Sequence, residues 1–321
     1  MLTRTAVGVA PNADTTPYRR FFEYQPNGGR CPPYALQMRV AAPPLVLSHA
    51  PMEHLEGRIS VLAALQAHHR RFQAILIRHG MHAEKLQDVL QAAEARGVPI
   101  RYADNAELDA LAHGTTHGGV IAICSAKPRT TTAELLDLLD TLDRQREPPL
   151  LVLLEGVDDA RNLGFTLRSA DALGVHAVLI KKHLWDFDTV EVARPASGAY
   201  ERLPLVQIDD IEPLVAIRKR GVLLYGCIAA AKRTMYERNL AQGVLLAIGG
   251  EKRGLSGAVR SICDGFLTIP SKPGASSLSL SHAASIVMAE AMRQRLEQSQ
   301  TAPRMRGTGA AEPNAERERA G

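Results

Sequence analysis

Between residues 58 and 125 the apolar positions alternate between two spacings. RISVLAALQAHHRRF carries them at helical intervals and leads into the short run QAILI; AEKLQDVLQAAEARG leads into PIRYA, and NAELDALAHG into GVIAICS. Helical segments followed each time by a strand-like run predict a small α/β domain over 49–125. From residue 150 the pattern changes. PLLVLLEGV, HAVLIK, LPLVQI, GVLLYGCIA, GVLLAIGG and FLTIP are continuous rather than alternating apolar runs, which predicts parallel strands buried on both faces in a second domain over 150–296. A last helix is expected from about Leu278 to Leu296.

The flanks lack such periodicity. Residues 1–48 hold several prolines, five arginines (Arg4, Arg19, Arg20, Arg30, Arg39) and two acids, and read as an extended basic arm expected to be poorly ordered. Residues 126–149 read as a linker carrying one short helix. The tail, 297–321, is rich in Ala, Gly, Pro and charge, a composition that cannot bury enough apolar surface to offset its ordering entropy, and is expected to be disordered.

Composition adds to this picture where charge is resolved along the chain. The 321 residues carry a formal net charge of +4, too little to name a partner. It is a cancellation: residues 49–160 carry 11 basic and 16 acidic side chains, residues 161–296 carry 18 and 12. The second domain is therefore basic, and Arg218, Lys219, Arg220, Lys232 and Arg233 are candidates for phosphate contact, with solvated helix faces as the alternative. Cysteines at 31, 124, 227 and 263 form no C-x-x-C pair, and the histidines, eight of eleven of them between His49 and His117, have no ligand spacing, so no metal is expected. No window approaches 18 apolar residues and no signal-peptide core is present, which predicts a cytoplasmic protein with reduced thiols. Aromatics make up only 4% of residues, which argues against base-stacking platforms for single strands.

Candidate chemistry lies in three segments at the ends of predicted strands, where open α/β sheets place their ligands. In EGVDDARNLGFTLRSADALGV, Asn162, Gly164 and Arg168 fall as N-x-G-x-x-x-R at a strand-to-helix junction. Asn162 is placed to cap the helix, Gly164 to allow close approach, and Arg168 to grip a phosphate or carboxylate. In LLAIGGEKRGLS, Gly249, Gly250 and Gly254 surround Glu251; the segment has neither G-x-G-x-x-G nor the Walker pattern. In LTIPSKPGASSLSLSHAAS, a strand ending at Ile269 and Pro270 is followed by a loop and by Ser277, Ser279 and Ser281 entering the last helix.

In this order and spacing the three segments resemble the sequence motifs of the SpoU-type RNA 2′-O-ribose methyltransferases of the SPOUT superfamily. ARPASGAYERLPLV resembles the family's Ser-Gly-Ala stretch, and residues 54–125, ending in HGTTHGGVIAI, resemble its small ribosomal-protein-like substrate-binding domain. The resemblance implies an α/β fold with a C-terminal parallel-sheet trefoil-knot domain preceded by a smaller α/β RNA-binding domain. It implies S-adenosylmethionine as cofactor, a homodimer through the methyltransferase domain, and structured RNA as partner, ribosomal RNA favoured over tRNA. Carried over by motif position, Gly249, Gly250, Ile269 and Leu278 would contact the cofactor, while Asn162, Arg168, Glu251, Ser277 and Ser279 would line the reacting centre. Arg70, Arg71, Lys252 and Arg253 are candidate RNA contacts.

Four positions in these segments depart from the family pattern. Ser279 stands where asparagine is usual, Ala160 where proline is common, and Lys252 and Arg253 where small or acidic residues are more usual. A serine lacks the second functional group of the amide, which keeps a catalytically inactive RNA-binding or ribosome-assembly factor on the same fold as the second reading. Arginine stays protonated at any physiological pH, so Arg168 is expected to clamp phosphate and stabilise oxyanion character rather than to act as base. His282 falls where the family has a small apolar residue and is the lesser candidate for a base.

Overall fold

The computed structural model describes residues 52–113, 117–181, 187–274 and 278–301. The small domain runs β1 (Met52–Glu56), α1 (Arg58–Ala67), β2 (Phe72–Arg78), a 3-10 turn (Ala83–Lys85), α2 (Gln87–Ala95), β3 (Ile100–Ala103), α3 (Asn105–Leu111) and β4 (Val120–Ser125). Its sheet has the order β1-β4-β2-β3, with β2 and β3 parallel and β4 antiparallel to both β1 and β2. β1 has no apolar run to announce it: MEHLE is an edge strand, and only Leu55 and Glu56 at its end are buried.

The expected first helix also ends early. His68 takes the left-handed conformation (φ 58°), which closes α1 at Ala67 and places His68 and His69 after the helix, exposed, rather than on it.

The second sheet contains β5 (Leu150–Glu155), β6 (Ala177–Lys181), β7 (Leu205–Ile208), β8 (Leu223–Cys227), β9 (Val244–Gly249) and β10 (Gly265–Leu267). Its order is β10-β8-β9-β5-β6-β7 and every pairing is parallel. All six residues of central β5 are buried, as a continuous apolar run requires. The pleat divides them. Leu150, Val152 and Leu154 enter one core with α5 (Ala160–Ala172) and α10 (Leu280–Thr301); Leu151 and Leu153 enter another with α8 (Glu212–Arg218) and α9 (Gly257–Ile262).

The second core also holds α4 (Thr132–Gln145). This helix starts at a reciprocal capping box of Thr131 and Glu134 and buries Leu135, Leu139 and Leu142. The segment expected as a linker thus supplies one layer of the second domain. On the first face, α6 (Thr189–Ala196) and α7 (Ala199–Arg202) precede β7, and α10 buries Leu280, Ala284, Val287, Met288 and Ala291 at helical spacing. The knot expected of the C-terminal part involves the segment between β10 and α10, of which 275–277 lie outside the described residues, as do the basic arm and the tail beyond 301.

Small domain and second domain share one continuous apolar cluster. Where α1 meets α7, Gly198 has φ +85°, and a Cβ there would lie 2.9 Å from Ala63 Cβ, so glycine sets how closely the two helices approach. No helix among the described residues is long and apolar enough to cross a membrane.

Candidate active site

Four segments gather at the carboxyl ends of β5, β8, β9 and β10. Glu155, closing β5, is in register with Gly249, closing β9. The next residues touch through backbone: a Cβ on Gly250 would lie 2.3 Å from the Gly156 carbonyl oxygen. The 249–255 turn is equally tight, since Gly254 N–H donates to the Gly250 carbonyl at 2.8 Å and a Cβ on Gly249 would fall 2.3 Å from the Gly254 carbonyl carbon. These glycines permit backbone-to-backbone packing that any side chain would prevent.

Glu155 holds this corner together and was not singled out in the sequence. Only 6% exposed, its carboxylate accepts the Ser256 N–H at 2.8 Å and pairs with Lys181. Burial alone would raise its pKa, but Lys181 and the Ser256 N–H outweigh burial and hold the carboxyl below the usual range. Ser256 in turn caps α9, its Oγ accepting from Val259 N–H.

Two side-chain hydrogen bonds bring the third motif to the other two. Glu251 Oε1 accepts the Leu280 N–H at 3.3 Å, joining the 249–255 turn to the start of α10. Ser281 Oγ donates to Asn162 Oδ1 at 3.1 Å, joining α10 to α5. Ser279 precedes α10; its Oγ accepts from His282 N–H and lies 2.5 Å from His282 Nδ1 and 3.2 Å from Ser281 Oγ. His282 is thus engaged with Ser279. Ser277 lies outside the described residues.

Asn162 is not the helix cap expected of it. Asp159 caps α5, its Oδ1 accepting from Arg161 and Asn162 N–H, because the carboxylate sits one residue before the first turn and Asn162 already lies within it. Gly164 faces α6: a Cβ would meet Pro195 Cγ at 2.4 Å and Val192 O at 2.6 Å, so the close approach is backbone to helix. Arg168 is exposed, and among the described residues no hydrogen bond or ion pair ties it to Asn162, Glu251 or Ser279. It shares the exposed face of α5 with Phe165, which is 49% exposed.

The loops after β8 and β10 complete the mouth. Ile228 N–H donates to Leu267 O, Thr268 N–H to Arg233 O and Met235 N–H to Thr268 O, so the two run side by side. Ile269 is half-buried there and Leu278 is 41% exposed. An adenosine-type cofactor would find here what it needs: apolar side chains at 269 and 278 for its flat base, and turns built of glycine whose backbone groups provide the polar contacts. The residues present fit S-adenosylmethionine, which Gly249, Gly250, Ile269 and Leu278 would hold.

The candidate RNA contacts divide. Arg71 is exposed, and Lys252 and Arg253 are exposed beside a cavity of about 570 Å³. Arg70 is withdrawn: its side chain is wholly buried and bonded to Glu201 and Glu53. Of the basic cluster in the second domain, Arg218 pairs with Asp264 and Arg220 with Asp140, so both are committed within the protein; Lys232 and Arg233 are exposed.

Residues 149–289 match the SpoU rRNA Methylase family, and residues 54–130 match the RNA 2′-O ribose methyltransferase substrate binding family. The chain is 34% identical over 245 residues to the 23S rRNA (guanosine-2′-O-)-methyltransferase RlmB of Pseudomonas putida, covering 76% of this chain and 97% of that one. It is 35% identical over 242 residues to the protein of that name from Ralstonia nicotianae, covering 75% and 95%. Among solved structures, the SpoU methyltransferase AviRb from Streptomyces viridochromogenes in complex with AdoMet superposes with a TM-score of 0.61 at 25% identity, over 77% of this chain and 91% of that one. With its three motifs drawn to one mouth and its relatives matched along nearly their whole length, the chain belongs to the SpoU RNA methylase family.

Proposed function

We propose that this protein transfers the methyl group of S-adenosylmethionine to a guanosine ribose 2′-hydroxyl in 23S ribosomal RNA, as a cytoplasmic homodimer. The observation that carries the reading is the pair of bonds Glu251–Leu280 and Asn162–Ser281, through which one mouth collects residues from all three motifs. The relatives named above are methyltransferases, which favours this reading over a non-catalytic assembly factor.

When bound, the cofactor supplies a methyl group already activated by its sulfonium. The protein's part is chiefly placement. Gly249 and Gly250 keep the 249–255 turn closed, Glu251 and Asn162 fix the start of α10 against it, and Ser279 offers one hydroxyl at the mouth. Arg168 has a guanidinium that is unengaged among the described residues and suited to gripping a phosphate beside the reacting ribose and to stabilising charge on its 2′-oxygen. Because Arg168 and Phe165 stand together on an exposed face of α5, a second protomer packed on α5 is a natural arrangement for bringing the arginine to a reacting centre.

Incubating the protein with labelled S-adenosylmethionine and unmodified 23S RNA tests the reading, with the product mapped by resistance of 2′-O-methylated positions to alkaline cleavage. One labelled guanosine ribose is expected. Absence of cofactor binding by calorimetry, with RNA binding retained, would replace this reading with the assembly-factor one.

A further inference from the structure

The cavity of about 570 Å³ beside the mouth has no role in what precedes. It is lined by Glu155, Asp158, Lys181, Lys252, Arg253 and Ser256, with Gly156, Gly250 and Gly254 supplying backbone walls. Of the four positions fitted to the cofactor, Gly250 alone lines it, as backbone, and Gly249, Ile269 and Leu278 do not, so the cavity adjoins the cofactor positions across the 249–255 turn. It opens on the same turn that carries Glu251.

Its polar groups are arranged in a way that selects a ligand. Lys181 stands at the end of β6, its side chain 25% exposed, with one contact to Glu155 and further N–H donors to spare. Asp158, in the loop before α5, is more than half exposed and among the described residues makes a loose contact of 3.5 Å to Lys252. At Gly254 a Cβ would meet nothing within 4 Å, so the wall is open there. A carboxylate acceptor beside ammonium donors, against a wall free of side chains, matches the edge of guanine: N1–H and N2–H toward a carboxylate, O6 and N7 toward a lysine. Lys252 and Arg253 at the rim suit the attached phosphates. The volume falls in the range of pockets that enclose small ligands and accommodates a nucleotide turned out of its helix.

On the basis of the proposed function, we infer that this cavity receives the base of the methylated nucleotide and that Asp158 and Lys181 select guanine. Asp158 reads the N1–H and N2–H edge; Lys181 reads O6 and N7. Asp158 is exposed and lightly engaged, so its substitution leaves the fold intact.

The experiment compares RNA carrying guanosine or inosine at the methylated position, inosine lacking only the N2 amine. Wild-type kcat/KM is expected to fall ~10–100-fold on inosine. Asp158→Asn should lose a similar factor on guanosine and little more on inosine, so that discrimination collapses, with cofactor affinity by calorimetry unchanged. A guanosine-to-inosine ratio unaltered by Asp158→Asn overturns the assignment, and weakened cofactor binding in that variant would give the cavity to the cofactor instead. Guanosine 5′-monophosphate and inosine 5′-monophosphate titrated into both proteins by NMR read the same contact without turnover. If wild type methylates no RNA, the proposed function fails while this titration still decides the cavity.

Discussion

Arg70 in the small domain and Glu201 in α7 of the second domain form a buried bidentate pair, Nε to Oε2 and Nη2 to Oε1, both at 2.9 Å. Arg70 also donates to Glu53 Oε2 and to the Ser125 carbonyl, each at 2.8 Å. Burial opposes the charge, but the neighbouring carboxylates, Glu201 foremost, prevail and raise the guanidinium pKa. Neutralising Glu201 leaves the buried guanidinium with Glu53 as its one remaining carboxylate among the described residues, and removing Arg70 takes the paired cation from a buried carboxylate. Glu201→Gln should therefore lower unfolding free energy by about 3–5 kcal/mol, whereas Arg70→Met combined with Glu201→Leu should cost far less, since apolar replacements carry no desolvation penalty. Urea denaturation of the single and double variants separates the two outcomes.

Lys127 sits at the same junction, its Nζ donating to the Tyr200 and Leu203 carbonyls. Burial drives its pKa down to about 7, and the nearby Glu201 does not offset this. The unfolded chain then binds more protons than the folded one between about pH 7 and the ordinary lysine value of 10.5. Stability should therefore rise with pH across that window, by up to about 1.4 kcal/mol per pH unit, and be flat from this source below it. Denaturation midpoints at pH 7, 8 and 9 for wild type and Lys127→Met test this: the slope should shrink in the variant.

Much of the second domain is legible in sequence because β5 and β9 are buried on both faces and so lack alternation, a signal independent of tertiary detail. The motif positions Asn162, Glu251 and Ser279 are likewise found together at one mouth. β1 escapes because an edge strand with a short buried stretch leaves almost no apolar signature. Arg70 misleads because HHRR looks like a solvated basic run, and only the approach of Glu201, 131 residues later, shows the guanidinium to be buried. Glu155 escapes for the same reason: its partners Lys181 and Ser256 are assembled by strand order, which local pattern does not encode.

The 249–255 turn offers a steric prediction. In Gly249→Ala the new methyl would lie 2.3 Å from the Gly254 carbonyl carbon and 2.5 Å from Leu255 N, both backbone atoms that cannot swing aside. The turn must open. A loss of about 1–3 kcal/mol in stability is expected, together with loss of cofactor binding. Gly257→Ala, where a Cβ meets nothing within 4 Å, is the control and should bind cofactor as wild type does. Calorimetry of S-adenosylmethionine binding to both variants reads the difference.

Arg168 provides the sharpest separation of catalysis from folding. It is exposed and unpaired among the described residues, so Arg168→Ala should change stability by no more than about 0.5 kcal/mol and leave cofactor affinity as in wild type. Methyl transfer should nevertheless fall by about 10²–10³ in kcat, the loss typical of removing one preorganised donor. Arg168→Lys keeps the charge but not the planar fork and should fall between. If a second protomer receives this arginine, mixing Arg168→Ala with Glu251→Ala chains builds heterodimers in which one of the two sites is whole. Co-expressed in equal amounts, two nearly inactive proteins should then regain about a quarter of wild-type activity. Failure to regain any, in heterodimers verified by tag-based purification, would place Arg168 in the site of its own chain.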